Sequence, residues 1–149
     1  MLVTEKIIRP LTEVKYLNAD NVDRYRCIMR IFYENYEKLK YWMYQEEIYR
    51  EMVQDPYFAE YRMEQYQQDL SALVEWKNLI TIQDTRKVSS IKEFKNKKFR
   101  YQMSEYSVEI ERLVLRLENL FIEGASLSRR FWNGYGEVLN GLRKYMRKI

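Results

Sequence analysis

Histidine is absent from this chain, and cysteine occurs once, as Cys27. Without histidine there is no His-based triad, no imidazole general base and little basis for a zinc enzyme. One cysteine forms neither an internal disulfide nor a cysteine-rich zinc site. Its setting, YRCIMRIF, reads as a small, buried apolar position on a helix. Glycine numbers 4 and proline 2, too few for a turn-rich all-β sandwich. No apolar run approaches the roughly 18 residues that a membrane span needs. The start, MLVTEKIIRPLTEVK, is too charged for a signal peptide. These absences point to a cytoplasmic protein with no membrane partner. Neither GxxxxGK[ST] nor GxGxxG occurs, so no glycine loop cradles a phosphate, and the GYG at Gly134–Gly136 falls inside an amphipathic pattern. Acid pairs such as Glu46/Glu47 do not share a helical face, and Glu105/Glu109 read as a solvated one. No constellation for acid–base or metal chemistry emerges, so the sequence predicts no enzyme, no catalytic residue, no cofactor and no metal.

What is present is a 149-residue chain with 46% hydrophobic and 15% aromatic residues, enough to bury a core and too apolar for disorder. Its net charge of +4 is unevenly spread. Residues 86–100 carry Arg86, Lys87, Lys92, Lys95, Lys97, Lys98 and Arg100 against one acid, Glu93. Residues 126–149 carry six bases against Glu137, so the rest of the chain is acidic. Such asymmetry suits a polyanion or an acidic protein face; a solvated loop and helix face is the bland alternative.

Periodicity predicts a mainly α fold. Residues 1–17 show no sustained period and read as an arm, with a short strand as an option. Asn18 and Asp20 offer caps for a helix over 20–39, whose stripe is Val22, Tyr25, Met29, Phe32, Tyr36 and Leu39, widened by Ile28 and Ile31. Lys40–Tyr44 suits a brief strand, Gln45–Val53 a second helix, and 60–76 a third. LITIQD (79–84) and FRYQM (99–103) alternate as strands and would pair antiparallel around a long basic connection. Ser104 can cap a further helix. Its positions Tyr106, Ile110, Leu113, Leu117 and Leu120 form a heptad seam, which either meets a partner or packs on its own domain. A last helix repeats the seam with Leu127, Phe131, Tyr135, Val138, Leu142, Tyr145 and Ile149. That seam runs to the final residue, as expected of a segment of a longer chain or of one completed by another subunit.

The order helix-strand-helix-helix-strand-wing-strand-helix is that of a winged helix-turn-helix. It divides the chain into an arm (1–17), a winged-helix domain (18–104) and an amphipathic helical extension (105–149). Leu70, Leu73 and Val74 would bury the third helix, and Asn78 would end it in a left-handed conformation. That helix would be the one entering a DNA groove. It carries Glu60, Glu64, Asp69 and Glu75 against Arg62, which opposes phosphate. Gln65, Gln67 and Gln68 could read adenine edges but are expected to be solvated. The basic wing is suited to touching DNA backbone without sequence preference.

The segments NVDRYRCIMRIFYENYEKLKYWMYQEEIY (21–49) and DLSALVEWKNLITIQDTRKVSSIKEFKNKKFRYQMSEYSVEIERLV (69–114) resemble the amino-terminal region of the kleisin subunits (JetA, MukF-like) of Wadjet-type bacterial plasmid-defence complexes. The stretch EWKNLITIQDTRKVSSIKEFKNKKFRYQ is its most specific part, and the resemblance spans about residues 18–122. It implies a winged-helix domain able to form a homodimer and a helical region contacting the SMC ATPase and accessory subunits. It transfers no catalytic residue. A sequence-specific winged-helix transcription regulator is the competing expectation, and the acidic third helix counts against it.

Overall fold

The computed structural model describes residues 1–83, 99–121 and 147. Contacts divide the chain into two compact units, Met1–Glu111 and Arg112–Ile149. The first unit is mainly helical, with one small antiparallel sheet. Its elements are α1 (Glu5–Ile8), a 3-10 turn (Thr12–Leu17), α2 (Val22–Glu37), β1 (Trp42–Tyr44), α3 (Gln45–Gln54), a second 3-10 turn (Pro56–Phe58), α4 (Met63–Glu75), β2 (Leu79–Gln83) and β3 (Phe99–Met103). A further helix, α5, is described over residues 105–121 and crosses the division between the units. Among the described residues no helix is long and apolar enough to cross a membrane.

The sheet has the order β1-β3-β2, both pairs antiparallel. Leu79 faces Met103 and Trp42 faces Gln102, so the central strand gathers two chain segments about forty residues apart in sequence. The core lies where α2, α3 and α4 meet this sheet. Ile28, Met29, Ile48, Tyr66, Leu70, Leu73 and Leu79 are almost wholly buried. The stripe expected on α2 is buried through Tyr25, Met29 and Phe32, but Leu39 lies past the helix end and is 74% exposed.

Local chemistry sets the ends of the helices. The Tyr44 N–H donates to Glu47 Oε2 (2.8 Å) and the Arg62 N–H to Gln65 Oε1 (3.0 Å), each satisfying a backbone donor in the first turn of α3 and α4. Ser104 caps α5, its Oγ accepting from the Ser107 N–H at 3.3 Å. The start of α2 differs from expectation. Neither Asn18 nor Asp20 caps it; Asn21 does so with left-handed dihedrals (φ 58°) and no side-chain bond.

α2 and α4 stop in the same way. Lys40 N–H reaches Asn35 O (2.9 Å) across Leu39 at φ 65°, and Asn78 N–H reaches Leu73 O (2.8 Å) across Lys77 at φ 63°. Both are Schellman ends, in which a left-handed residue satisfies the last carbonyls. The residue bent left-handed after α4 is therefore Lys77, one before the asparagine expected there. A side chain at such a position is strained by roughly 1–2 kcal/mol, partly offset by glycine's greater freedom in the unfolded chain. Lys77→Gly and Leu39→Gly are each expected to stabilise the fold by about 0.5–1 kcal/mol, read as a higher urea midpoint at unchanged m.

The amino-terminal segment departs most from expectation. It forms helical turns and no strand, and from Thr12 onward it packs: Glu13 is 2% exposed and Tyr16 fully buried. The turn is too short for its buried positions to register as a period.

Candidate functional site

Three buried polar clusters hold the helices of the first unit together. The first centres on Asn78. Its Nδ2 donates to Glu13 O (2.6 Å) and Ser107 Oγ (3.0 Å), and its main-chain carbonyl accepts from the Ser104 N–H (3.0 Å). One side chain thus joins the 3-10 turn, the α4–β2 junction and the start of α5. The second centres on Glu111, 1% exposed. Tyr16 donates to its Oε1 (2.9 Å) and Arg30 to its Oε2 (3.2 Å). Burial pushes the Glu111 carboxyl above its ordinary range, opposed by those two donors. Burial also pushes the Tyr16 phenol up, and the carboxylate beside it adds to the shift.

The third cluster centres on Asp69, which projects from the inner face of α4 and is 2% exposed. Tyr61 donates its hydroxyl to Oδ2. Arg24 on α2 grips it with Nη2 2.9 Å from Oδ1 and Nε 2.8 Å from Oδ2. The Arg24 guanidinium also lies over the Tyr61 ring, 5.3 Å from its centroid. A charge that seemed to belong to a DNA-facing surface is instead neutralised between helices.

What α4 turns to solvent is a shallow groove of about 490 Å³ lined by Glu64, Gln67, Gln68, Ser71, Ala72 and Glu75. It offers two carboxylates, two amides and a hydroxyl, and no lysine or arginine lines it. Gln65 is set apart from its two neighbours because its amide oxygen is spent on the Arg62 N–H. Such a face suits the backbone and side-chain donors of a protein better than phosphate.

Of the basic wing, only Arg100 lies among the described residues. It sits on β3 opposite Tyr44 and Ile82, with its guanidinium 4.8 Å from the Trp42 ring centroid, held on the sheet by a cation–π contact. Arg86, Lys87, Lys92, Lys95, Lys97 and Lys98 lie outside the described residues. The first seam is placed on α5: Tyr106, Leu113, Leu117 and Leu120 are each more than half exposed, and Ile110 is half-buried. The buried residues of the helix start are Ser107, Val108 and Glu111, on another face. Leu127, Phe131, Tyr135, Val138, Leu142, Tyr145 and Ile149 lie outside the described residues.

Sequence reasoning missed Glu13, Tyr16 and Ser107 as structural residues and read Asn78 only for its backbone. A polar residue between apolar ones in EWKNLI was the one available signal. Cys27 is half-buried on α2, less enclosed than its apolar setting suggested, and its thiol is pushed up, chiefly by burial. No group of three acidic or sulfur side chains among the described residues is placed to hold a metal ion.

No curated protein and no solved structure matches the chain. One family model matches, over residues 14–148: DUF2397, a protein family of unknown function. The match covers most of the chain, so the protein belongs to the DUF2397 family.

Proposed function

We propose that this DUF2397 chain is a non-catalytic, kleisin-like architectural subunit of an SMC-type complex in bacterial defence against plasmid DNA. In this reading α2, β1, α3, α4, β2 and β3 make a winged helix used for protein contact, and the basic residues between β2 and β3 make a wing that braces DNA without reading it. The observation that carries the reading is the solvent face of α4, where Glu64 and Glu75 flank Gln67 and Gln68 with no basic residue lining the groove. A helix of that charge gains nothing from a phosphate-lined groove, since non-specific DNA affinity comes from Lys and Arg. Support also comes from the resemblance of residues 18–122 to kleisin subunits of the Wadjet type and from the exposed apolar seam on α5. Self-association and contacts with the SMC ATPase and accessory subunits belong to the same proposal.

A fluorescence-anisotropy titration against several unrelated duplexes across a salt series tests it. The expected result is weak, similar affinity for all of them and a steep salt slope. Lys95, Lys97 and Lys98 changed together to Glu should lower the affinity at low salt at least tenfold and flatten the slope by about 2–3, as roughly 0.9 is lost per phosphate contact. Strong preference for one duplex that survives added salt overturns the reading in favour of a sequence-specific regulator.

A further inference from the structure

A second cleft, of about 400 Å³, opens between the 3-10 turn Thr12–Leu17 and the first turns of α5. Leu11, Val14, Tyr106 and Ile110 give it apolar walls, and Glu13, Glu105 and Glu109 line it with carboxylates. Glu13 has an unusual state for a carboxylate. It is 2% exposed, and only one of its oxygens is used: Oε1 pairs with Arg9 Nη2 at 3.0 Å. Oε2 is buried and finds no hydrogen-bond partner among the described residues. Leaving a buried charged acceptor without a donor is costly, so the site favours a ligand that supplies one.

The chain shows which donor fits. The Arg9 guanidinium reaches Glu13 while lying 5.4 Å from the centroid of the Tyr106 ring. A planar cation is therefore accepted between this carboxylate and this aromatic wall. Yet Arg9 is held by its side chain alone, through Glu13 and Tyr106: that side chain is 49% exposed, and no residue of the segment 1–12 is buried. Its pairing joins a half-exposed guanidinium to a buried carboxylate, so Arg9 leaves at little cost only when another cation takes its place.

We propose that this cleft is a docking site for an apolar peptide segment bearing an arginine, whose guanidinium takes the place of Arg9 on Glu13 and supplies the donor that Oε2 lacks. Arg9 is then a placeholder, released when the partner's arginine enters, while the partner's flanking apolar side chains cover Leu11, Val14 and Ile110. Because Arg9 competes for the same carboxylate, removing it strengthens binding. That sign separates an exchangeable contact from a merely structural one. The inference goes beyond the architectural reading and does not depend on it, since neither the wing nor α4 takes part.

The test is a titration of the full chain with the blocked peptide acetyl-Ala-Leu-Leu-Arg-Ala-Leu-Leu-amide, followed by NMR shifts of the Tyr106 ring and Val14 methyl groups. The same peptide with citrulline for arginine serves as the uncharged control. The expected result is saturable shifts at these residues, at least tenfold weaker for the citrulline peptide and for Glu13→Gln, and at least threefold tighter for Arg9→Ala. If Glu13→Gln does not fold, Arg9→Ala decides: tighter binding supports the site, and unchanged or weaker binding overturns it. Equal binding of the two peptides, or no saturable shift at Tyr106, also overturns it and leaves Glu13 Oε2 as an acceptor for water.

Discussion

Raising the pH from 9 to 12 is expected to cut this protein's stability by about 8 kcal/mol, moving its urea midpoint steeply downward and unfolding it at the alkaline end. Three tyrosines carry the effect. Tyr16 and Tyr66 are fully buried and Tyr61 is 7% exposed. Each is a donor to an acceptor that an ionised phenol would repel: Tyr16 to Glu111, Tyr61 to Asp69, Tyr66 to the Gln45 carbonyl at 2.7 Å. Burial is the first cause raising all three above the ordinary value of 10.0, and for Tyr16 and Tyr61 the neighbouring carboxylate adds to it. A raised folded pKa means that the unfolded chain loses its proton first. The stability each group contributes is complete below pH 10 and is lost as pH climbs beyond it.

The size follows from linkage. Each phenol that the fold keeps protonated removes about 1.4 kcal/mol per pH unit above 10. Three remove about 4 kcal/mol by pH 11 and about 8 by pH 12, against a total of roughly 5–15 kcal/mol for a domain. Circular dichroism and tyrosinate absorbance, followed together across the pH series, check this. Tyr16, Tyr61 and Tyr66 should ionise only as the dichroism is lost. Tyr66→Phe removes one of the three and should move the alkaline unfolding upward by a few tenths of a pH unit. Complete ionisation near pH 10 with unchanged dichroism would contradict the account. Glu111 acts in the same sense lower on the scale: its raised value makes its contribution complete below about 4.5 and lost as pH rises through the folded value.

The regular elements were legible because their signals are local. Alternation in LITIQ and FRYQM marked β2 and β3, and stripes at helical spacing marked α2 and α4. The buried polar clusters were not legible, because each is made by residues far apart in the chain. Tyr16 and Glu111 are 95 positions apart, and Glu13 and Asn78 are 65 apart. A charged residue in a sequence carries no mark of whether its partner is water or another side chain. Asp69 was therefore counted with the solvent-facing charge of its helix, although helical spacing already puts it beside Leu70 and Tyr66 on the inner face. The seam on α5 shows the converse. Heptad spacing identified Tyr106, Leu113, Leu117 and Leu120 as one apolar face, but spacing says nothing of which face of a helix meets its own core. Here the burial falls instead to Ser107, Val108, Glu111 and Val114, a set whose two polar members keep it from reading as an apolar stripe.

Asp69→Ala is expected to cost about 3–4 kcal/mol, near the top of what one substitution does. Truncation leaves the Tyr61 hydroxyl without its acceptor and the Arg24 guanidinium, whose side chain is 19% exposed, without its counter-charge. Stranding one partner of a buried pair costs more than the pair itself contributes, because the remaining charge keeps its desolvation cost. Tyr61→Phe removes only a donor and should cost about 1 kcal/mol. The double variant should then lie below the sum of the two by about 1 kcal/mol, since the hydroxyl is already unpartnered once Asp69 is gone. Urea denaturation of the four proteins of this cycle measures the coupling. A second readout separates structure from recognition. Asp69 faces inward, so Asp69→Asn, at temperatures where it stays folded, should leave DNA affinity unchanged, whereas Glu64→Lys with Glu75→Lys on the outer face should raise it and steepen its salt slope. A gain in DNA affinity from Asp69→Asn equal to that of the outer pair would mean that α4 is oriented otherwise, with Asp69 among its solvent-facing charges.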